Sequence, residues 1–379
     1  MKILFDYQAF MMQNFGGVSK CFAELIYNLP PEVKYKIGIK ESDNIYLHEL
    51  KLVQGLKNLH WTKEHFLFPF YIKGQEKLLG FFNKTGLLQT PYVINRNYTI
   101  DLLNKKEYDV FHPTFFDDYF LPYLGEKPFV LTIHDMIPEL FFSKNNFQTQ
   151  KKKILAKKAS HIIAVSENTK NDIIKILDIP EEKISVIYHA YDNNTPQKEN
   201  VILPDKFILY IGMRAAYKAF EEYLIKVSPF FNKHKDIFLL CTGKPFTAKE
   251  RALINKLNLT DQVKIALFST PQLMYVYSKA IAFVYPSKYE GFGIPILEAF
   301  ASECPTLLNQ ASCFPEIAQD AAIYFDINDE ASCIQALETV SSLTPEEKNN
   351  LIQKGKKRLS DFSWEKSALQ LTEVYKKII

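Results

Sequence analysis

The feature that most constrains the fold is the regular alternation of short apolar runs with helix-like segments along the second half of the chain. Segments with a helical spacing of apolar residues, such as Pro295–Glu303, lie between the apolar runs. This alternation predicts a parallel sheet with helices on both faces. The predicted strands are Phe207–Gly212, Ile237–Gly243, Val263–Phe268, Ala280–Pro286, Thr306–Gln310 and Ala322–Asp326.

The first half of the chain repeats this pattern less regularly. A chain of 379 residues that is 47% hydrophobic is long and apolar enough to fill two cores. We therefore predict an α/β protein with two Rossmann-like domains. The strands predicted in the first half are Lys2–Asp6, Tyr35–Lys40, Val110–His112, Phe129–His134, His161–Ser166 and Ile184–Ile187.

The polar stretch Tyr191–Asp205 separates the two patterns and holds two prolines, so we interpret it as a linker. The predicted domains are residues 1–190 and 206–360, and residues 361–379 form a terminal helix that returns to the first domain. Parallel sheets bind ligands beyond the carboxyl ends of their strands. We therefore expect ligands in a cleft between the two domains.

Charge and cysteine content exclude several classes of protein. Lys and Arg (46) nearly balance Asp and Glu (43), which disfavours a nucleic-acid-binding protein. The cysteines form no C-x-x-C pair and are interpreted as buried thiols in a reducing compartment, without a zinc site. The apolar run at the amino terminus is too short for a signal peptide. No stretch of the sequence is apolar enough to span a membrane. We expect a cytoplasmic, soluble protein. The cysteines are Cys21, Cys241, Cys304, Cys313 and Cys333.

A glycine-rich turn with a glutamate on either side follows one of the predicted strands. In the sequence EGFGIPILE, Glu290 precedes the turn, and Glu298 lies about one turn inside the helix that begins near Pro295. Backbone amides at such a helix start favour a phosphate, whereas carboxylates suit sugar hydroxyls. A nucleotide sugar would satisfy both preferences. Solvent-exposed loop and helix glutamates are the alternative interpretation.

The E-x₇-E block resembles the signature of retaining GT-B glycosyltransferases of the family-4-like group, in particular polysaccharide mannosyltransferases. Gly16–Lys20, Thr132–Asp135, His161–Ile173 and Tyr210–Leu224 also resemble segments of this family. The pair His189-Ala190 departs from the family pattern, which commonly has Asn-Gly there.

The resemblance implies a role for each matching residue. Glu290 would face hydroxyls of the donor sugar, and Glu298 would face the ribose. Arg214 and Lys218 would clamp the diphosphate, although surface charges are the alternative. The backbone of the glycine-rich turn would meet the sugar and the distal phosphate, and the turn is formed by Gly291, Phe292, Gly293 and Ile294.

The resemblance also implies contributions from the first domain. Gly16 and Gly17 would approach the donor phosphate or the acceptor, or form a structural turn. His134, at the end of a predicted strand, would lie beside the donor sugar and acceptor, and with Glu290, Arg214 and Lys218 it forms the predicted catalytic set. His112 and Phe115 lie in an aromatic segment that would either contact the acceptor sugar or form the edge of a core.

The predicted activity is retaining hexosyl transfer to a glycan or lipid-linked glycan, without a metal or other cofactor, because no D-x-D motif follows a strand. Mannose from GDP-mannose is the first choice of donor, and bacterial capsule or O-antigen biosynthesis is the expected setting. A nucleotide-sugar epimerase and a non-catalytic nucleotide-sugar-binding subunit are the alternatives. His60–Gly86 and the lysine-rich run Gln150–Ser160 would rest on an anionic membrane surface, or be an ordinary core and a solvated helix face.

Overall fold

The structure is a computed structural model that describes residues 1–59, 77, 81, 90–142, 146–191, 201–214 and 216–379. These residues divide into two compact units. The first unit comprises residues 1–165, 170–187 and 364–379, and the second comprises 166–169 and 188–363. The short segment Ser166–Thr169 is thus grouped apart from its neighbours in the chain, which a single boundary near residue 190 did not anticipate.

The first unit is built on six parallel strands. Strands β1 (Lys2–Phe5), β2 (Lys34–Ile37) and β3 (Val110–His112) pair in the order β2-β1-β3. Strands β4 (Val130–Ile133), β5 (His161–Ala164) and β6 (Ile184–Val186) pair in the order β4-β5-β6. A bridge between Phe111 and Phe129 joins the two sets. The sheet order is therefore β2-β1-β3-β4-β5-β6, and its switch point lies between β1 and β3.

Helices connect these strands, as parallel pairing requires. The C-terminal helix Trp364–Ile378 belongs to the first unit and packs against the helix Gly17–Tyr27. The helix Glu167–Leu177 is divided, since its first turn is grouped with the second unit. The other described helices of the first unit are Gln8–Met12, Ile45–Glu49, Pro91–Lys105, Leu121–Leu124, Ile137–Phe141 and Phe147–Lys158.

The second unit contains one six-stranded parallel sheet in the order β12-β11-β10-β7-β8-β9. Counted from its own first strand this is the Rossmann order 3-2-1-4-5-6, whose switch point lies between β7 and β10. The strands are β7 (Phe207–Tyr210), β8 (Phe238–Thr242), β9 (Val263–Ala266), β10 (Ala282–Tyr285), β11 (Thr306–Asn309) and β12 (Ile323–Phe325).

The helices of the second unit follow these strands in turn. Three of them begin with reciprocal capping boxes, at Thr247, Ser269 and Thr344, which satisfy amides that the helix itself leaves unpaired. The helices are Phe220–Lys233, Ala248–Lys256, Thr270–Lys279, Ile294–Ala301, Phe314–Ala318, Glu330–Ser342 and Pro345–Leu359.

The predicted α/β architecture with two Rossmann-like sheets is confirmed. Each predicted strand overlaps an observed one, because continuous apolar runs are buried on both faces of a parallel sheet. The predicted linker lies largely outside the described residues, as does nearly all of the segment His60–Gly86.

Candidate functional site

The switch point of the second sheet brings together residues that are far apart in the sequence. Strands β7 and β10 are neighbours, with Tyr210 opposite Val284. The segment after β7 carries Lys218, and the segment after β10 carries Glu290. The amide of Lys288 donates to the carbonyl of Tyr217 at 2.8 Å, which joins the two segments directly. This is where a doubly wound sheet binds its ligand.

An ion pair lies at this point. Nζ of Lys218 is 2.5 Å from Oε1 of Glu290, and the two side chains are 13% and 10% exposed. The ring of Tyr285, at the end of β10, lies beside this pair. Nζ of Lys218 is 5.5 Å from the centroid of that ring. The two predicted site residues therefore contact each other, and each neutralises the charge of the other.

The loop that carries Glu290 is fixed through its carbonyl groups. Ser312 Oγ donates to the carbonyl of Glu290 at 2.7 Å, and Ser166 Oγ donates to that of Gly291 at 2.7 Å. Cys313 Sγ lies 3.2 Å from the carbonyl oxygen of Phe292. The phenyl ring of Phe292 is buried. With these carbonyls turned towards protein donors, the loop has one well-defined backbone conformation.

The amide groups of this loop differ from its carbonyl groups in their hydrogen bonding. Among the residues that the structure describes, no acceptor is bonded to the amides of Gly291, Phe292, Gly293 and Ile294. Gly293 has φ +90° and caps the helix Ile294–Ala301, with Pro295 in its first turn. Unpaired amides at a helix start, with the positive end of the helix dipole, form an anion site. The structure therefore places the predicted backbone donors in one segment beside Lys218.

Glu298 lies on the same helix and is partly buried. Its Oε2 accepts a hydrogen bond from the hydroxyl of Tyr277 at 3.1 Å. The pKa of that phenol is raised well above its ordinary value by burial and by the neighbouring carboxylate, so Tyr277 remains a donor. This bond fixes one carboxylate oxygen of Glu298.

Arg214 is placed differently from the prediction of a simple pair with Lys218. Its Nε donates to Oε1 of Glu250 at 2.5 Å, and its side chain is only 6% exposed. Burial opposes ionisation of Glu250, but the hydrogen bonds from Arg214 and Thr247 outweigh it and lower the pKa of the carboxyl. Glu250 could not be predicted from the sequence as the partner of Arg214, because it lies 36 residues further along the chain, in the first turn of another helix.

In the first unit, His134 follows β4 at the carboxyl edge of the sheet. Its ring packs edge-on against Phe22 at 5.7 Å. Burial, with a smaller contribution from the positive charge of Lys152, lowers the pKa of His134 to about 4. The imidazole is therefore neutral near pH 7 and suits hydrogen bonding rather than charge pairing.

Gly16 and Gly17 lie at the start of the helix Gly17–Tyr27. Gly16 is the N-cap, and its carbonyl accepts the amide of Lys20 at 2.9 Å. A Cβ on Gly16 would lie 2.4 Å from the side chain of Gln13, whereas a Cβ on Gly17 would have no neighbour within 4 Å. The close approach at Gly16 favours the structural-turn interpretation for that residue.

The acceptor-binding role predicted for His112 disagrees with its position. His112 is fully buried, Nδ1 lies 2.7 Å from the hydroxyl of Tyr375, and Nε2 lies 2.9 Å from Oγ1 of Thr132. Since both ring nitrogens have protein partners, His112 is a core residue. Phe115 is half-buried, with its ring 4.8 Å from that of Phe116, which matches the core-edge alternative.

The structure also contains a buried ion pair near His134 that the sequence did not predict. Nζ of Lys152 lies 2.8 Å from Oε2 of Glu139 and 2.9 Å from the carbonyl oxygen of Asp135. The side chains of Lys152 and Glu139 are 0% and 2% exposed. Lys151 pairs with Asp118. The lysine-rich run is therefore not a uniform basic face, because two of its lysines pair with carboxylates of the protein.

No helix among the residues described is both long enough and apolar enough to cross a membrane. All five cysteines are free and buried, as predicted. Burial raises the pKa of the Cys304 thiol to about 12, so this cysteine is a packing residue rather than a nucleophile.

Two family models match consecutive parts of the chain. The model for Glycosyltransferase Family 4 matches residues 77–194, and the model for glycosyl transferases group 1 matches residues 192–358. The second match contains Arg214, Lys218, Glu290 and Glu298. The two matches together extend from residue 77 to residue 358.

Two curated relatives are O-antigen mannosyltransferases. The chain is 30% identical over 222 residues to the O-antigen chain mannosyltransferase RfbU of Salmonella typhimurium, covering 56% of this chain and 61% of that protein. It is 26% identical over 326 residues to the O-antigen chain mannosyltransferase B of Escherichia coli, covering 79% of this chain and 83% of that protein.

Solved structures share the fold along the whole chain. Anabaena HepE in complex with UDP and glucose has a TM-score of 0.73 and 15% identity, with complete coverage (100%) of both chains. Sucrose-phosphate synthase from Thermosynechococcus elongatus has a TM-score of 0.70 and 16% identity, covering 100% of this chain and 99% of that chain. At these identities the likeness establishes the fold, which is GT-B.

Proposed function

Because the chain belongs to the family-4-like GT-B glycosyltransferases, we propose that it transfers a hexose from a nucleoside diphosphate sugar to a hydroxyl group of a growing glycan. The observation that carries this proposal is the switch point of the second sheet. There the Lys218–Glu290 ion pair lies beside a helix start whose amides have no acceptor among the residues that the structure describes. Such a site offers a cation and amides to phosphates, and carboxylates to hydroxyls.

In the proposed reaction, the acceptor oxygen forms a bond to the anomeric carbon as the bond from that carbon to the phosphate oxygen breaks. Lys218 and the amides of Gly293 and Ile294 stabilise the charge that develops on the leaving diphosphate. Donor binding draws Lys218 towards the phosphate and leaves Glu290 to accept hydroxyls of the sugar. Glu298, fixed by Tyr277, accepts the ribose hydroxyls.

We propose that the configuration of the sugar is retained. This part of the proposal rests on the resemblance to retaining family-4-like glycosyltransferases. Glu290 and Glu298 are assigned to hydroxyl groups of the donor, so neither is assigned as a nucleophile on the opposite face of the sugar. In this scheme attack occurs on the face from which the diphosphate leaves, and the departing phosphate oxygen takes the acceptor proton. His134, neutral near pH 7, hydrogen-bonds a sugar hydroxyl in this scheme.

Mannose from GDP-mannose is our proposed donor, with an O-antigen or capsule precursor as acceptor. The two mannosyltransferase relatives support this choice, whereas HepE was solved with UDP and glucose. A thermal-shift panel of GDP, UDP, ADP and TDP distinguishes the bases. Stabilisation by GDP alone is expected, and stabilisation by UDP alone would replace mannose by a sugar carried on UDP.

The decisive test of activity is transfer from the labelled nucleotide sugar to a membrane-extracted lipid-linked glycan. We expect Glu290→Gln to reduce kcat about 100- to 1,000-fold, comparable with the loss of one preorganised transition-state contact, and to leave the fold intact. Conversion of the donor without an acceptor would indicate an epimerase, and tight nucleotide binding without transfer would indicate a binding subunit.

The proposal also specifies catalysis by fixed protein charges without a divalent ion. Activity should persist when EDTA is added in excess. Loss of activity in EDTA that only magnesium or manganese restores would replace this part of the scheme.

A further inference from the structure

The guanidinium group of Arg214 is held by an unusually complete set of protein contacts. Besides the bond from Nε to Glu250, its Nη2 donates to the carbonyl oxygens of Lys244 and Pro245 at 2.7 and 3.2 Å. Three of its five N–H donors are thus occupied. Among the described residues, none accepts a hydrogen bond from the remaining nitrogen, Nη1.

Two aromatic rings also pack against the guanidinium group. The guanidinium carbon of Arg214 lies 4.9 Å from the ring centroid of Phe246 and 5.7 Å from that of Phe220. Those two rings are stacked at 6.2 Å with an interplanar angle of 18°. The guanidinium group is therefore held by packing as well as by hydrogen bonds, and Nη1 is its nitrogen without an acceptor among the described residues.

Both carboxylate oxygens of Glu250 accept hydrogen bonds. Oε1 accepts from Arg214, while Oε2 accepts from the backbone amide of Thr247 at 2.6 Å. In return, Oγ1 of Thr247 accepts from the amide of Glu250 at 3.2 Å. The N-terminal capping box of the helix Ala248–Lys256 thus also holds Arg214. A capping box needs only Glu or Gln at this position, so the bond to Arg214 is an additional role of Glu250.

We propose that Glu250 is a positioning residue that presents the two Nη1 donors of Arg214 to the diphosphate of the donor; this rests on the function proposed above. A long, flexible arginine that is already oriented loses less freedom when it binds an anion. The negative charge of Glu250 weakens the attraction of Arg214 for that anion, so orientation rather than charge is what Glu250 contributes. It acts through Arg214 and contacts no substrate.

The chain offers matched variants to test this role. Glu250→Ala removes both acceptor oxygens and with them both bonds. Glu250→Asp keeps the charge but is too short to reach both partners. Thr247→Ala weakens the same helix cap and leaves the Glu250–Arg214 bond in place. Calorimetry on the full chain then compares the Kd for the nucleoside diphosphate that binds wild type with the Kd for the matching nucleoside.

We expect Glu250→Asp and Glu250→Ala to weaken diphosphate binding about tenfold, the scale of one good hydrogen bond, with nucleoside binding unchanged. Thr247→Ala should bind the diphosphate like wild type, because it leaves the Glu250–Arg214 bond in place. In an Arg214→Ala background, Glu250→Asp should have no further effect. This last result identifies an action through Arg214.

Two results would overturn the proposal: equal diphosphate affinity for Glu250→Asp and Thr247→Ala, or a parallel loss of nucleoside binding. Should Glu250→Ala fail to fold, the comparison of Glu250→Asp with Thr247→Ala still decides. Wild-type protein that binds none of GDP, UDP, ADP and TDP would instead refute the proposed function, and Glu250 would lose its role with it.

Discussion

His112 and Tyr375 are 263 residues apart in the chain, yet Nδ1 of the imidazole lies 2.7 Å from the hydroxyl of the tyrosine. Both side chains are completely buried in the first unit. The bond joins the end of β3 to the C-terminal helix Trp364–Ile378, whose residues are separated from the rest of that unit by residues 188–363 of the second unit. The C-terminal helix is therefore part of the core of the first unit.

Removing the Tyr375 hydroxyl should destabilise the first unit. Tyr375→Phe leaves Nδ1 of His112 buried without its partner, which costs about 1–3 kcal/mol. Urea unfolding followed by circular dichroism measures this change. Tyr27→Phe is the control, because Tyr27 is 59% exposed and its substitution should change stability by less than about 0.5 kcal/mol. Equal stability of the Tyr375→Phe variant and wild type would show that the bond contributes nothing.

Stability should decrease as the pH falls below about 6.5. Burial, and next the charge of the neighbouring His134, lowers the pKa of His112 to about 3, whereas in the unfolded chain it is about 6.5. Between about pH 3 and pH 6.5 the unfolded state therefore binds one more proton than the folded state. The contribution of His112 is fully present above pH 6.5 and is lost at up to about 1.4 kcal/mol per pH unit below it.

Urea unfolding at a series of pH values between 7.5 and 4.5 tests this dependence. His134 and His161, each with a pKa lowered to about 4 mainly by burial, act in the same direction. His112→Gln should reduce the slope of the free energy of unfolding against pH by the contribution of about one proton. An unchanged slope in this variant would mean that His112 is already protonated in the folded protein.

Removing one partner of the buried ion pair Lys152–Glu139 should destabilise the protein strongly, whereas replacing both by apolar residues should change its stability little. Lys152→Met leaves the carboxylate of Glu139, only 2% exposed, without its cation and should cost about 3–5 kcal/mol. The double variant Lys152→Met/Glu139→Leu removes both charges and should regain most of that loss. The free energies of unfolding of the three variants, including Glu139→Leu, complete the cycle. A double variant as unstable as the sum of the single ones would contradict this account.

A side chain at Gly293 should destabilise the protein. Its φ of +90° is in the left-handed region, and a Cβ would lie 3.2 Å from Cδ1 of Ile296 and 3.3 Å from Cε1 of Phe314. Gly293→Ala should therefore cost about 1–2 kcal/mol from backbone conformation, with a further loss from crowding. Gly17→Ala, in open space at a helix start, should instead stabilise the protein by about 0.5–1 kcal/mol. Thermal unfolding of both variants checks the contrast.

The positions of the strands and of the glycine-rich turn followed from the sequence because they depend on local patterns. Apolar runs such as Ala282–Tyr285 are buried wherever the sheet forms, and a proline after two glycines favours a helix start in any context. Glu290 and Lys218 were predicted to share a site from the resemblance to the family, and both follow strands of one parallel sheet, which end at the same edge.

The partners of the predicted residues depended instead on contacts between distant segments. Nothing in the sequence near Arg214 indicates that Glu250 binds it, and nothing near His112 indicates that Tyr375 occupies its ring nitrogen. The two interpretations that the sequence allowed for His112 show the consequence. A histidine at a strand end is equally compatible with a site and with a core until its neighbours are known.

The sequence by itself therefore determined the two Rossmann-like sheets, the helix start after Gly293 and the chemistry that the E-x₇-E block can offer. Hydrophobic periodicity and backbone preference are properties of short segments, so they are present in the sequence. Tertiary structure alone decided which charged groups are paired, buried or turned towards a ligand. Those properties depend on desolvation and on distances of a few ångströms between residues that the chain brings together only when it folds.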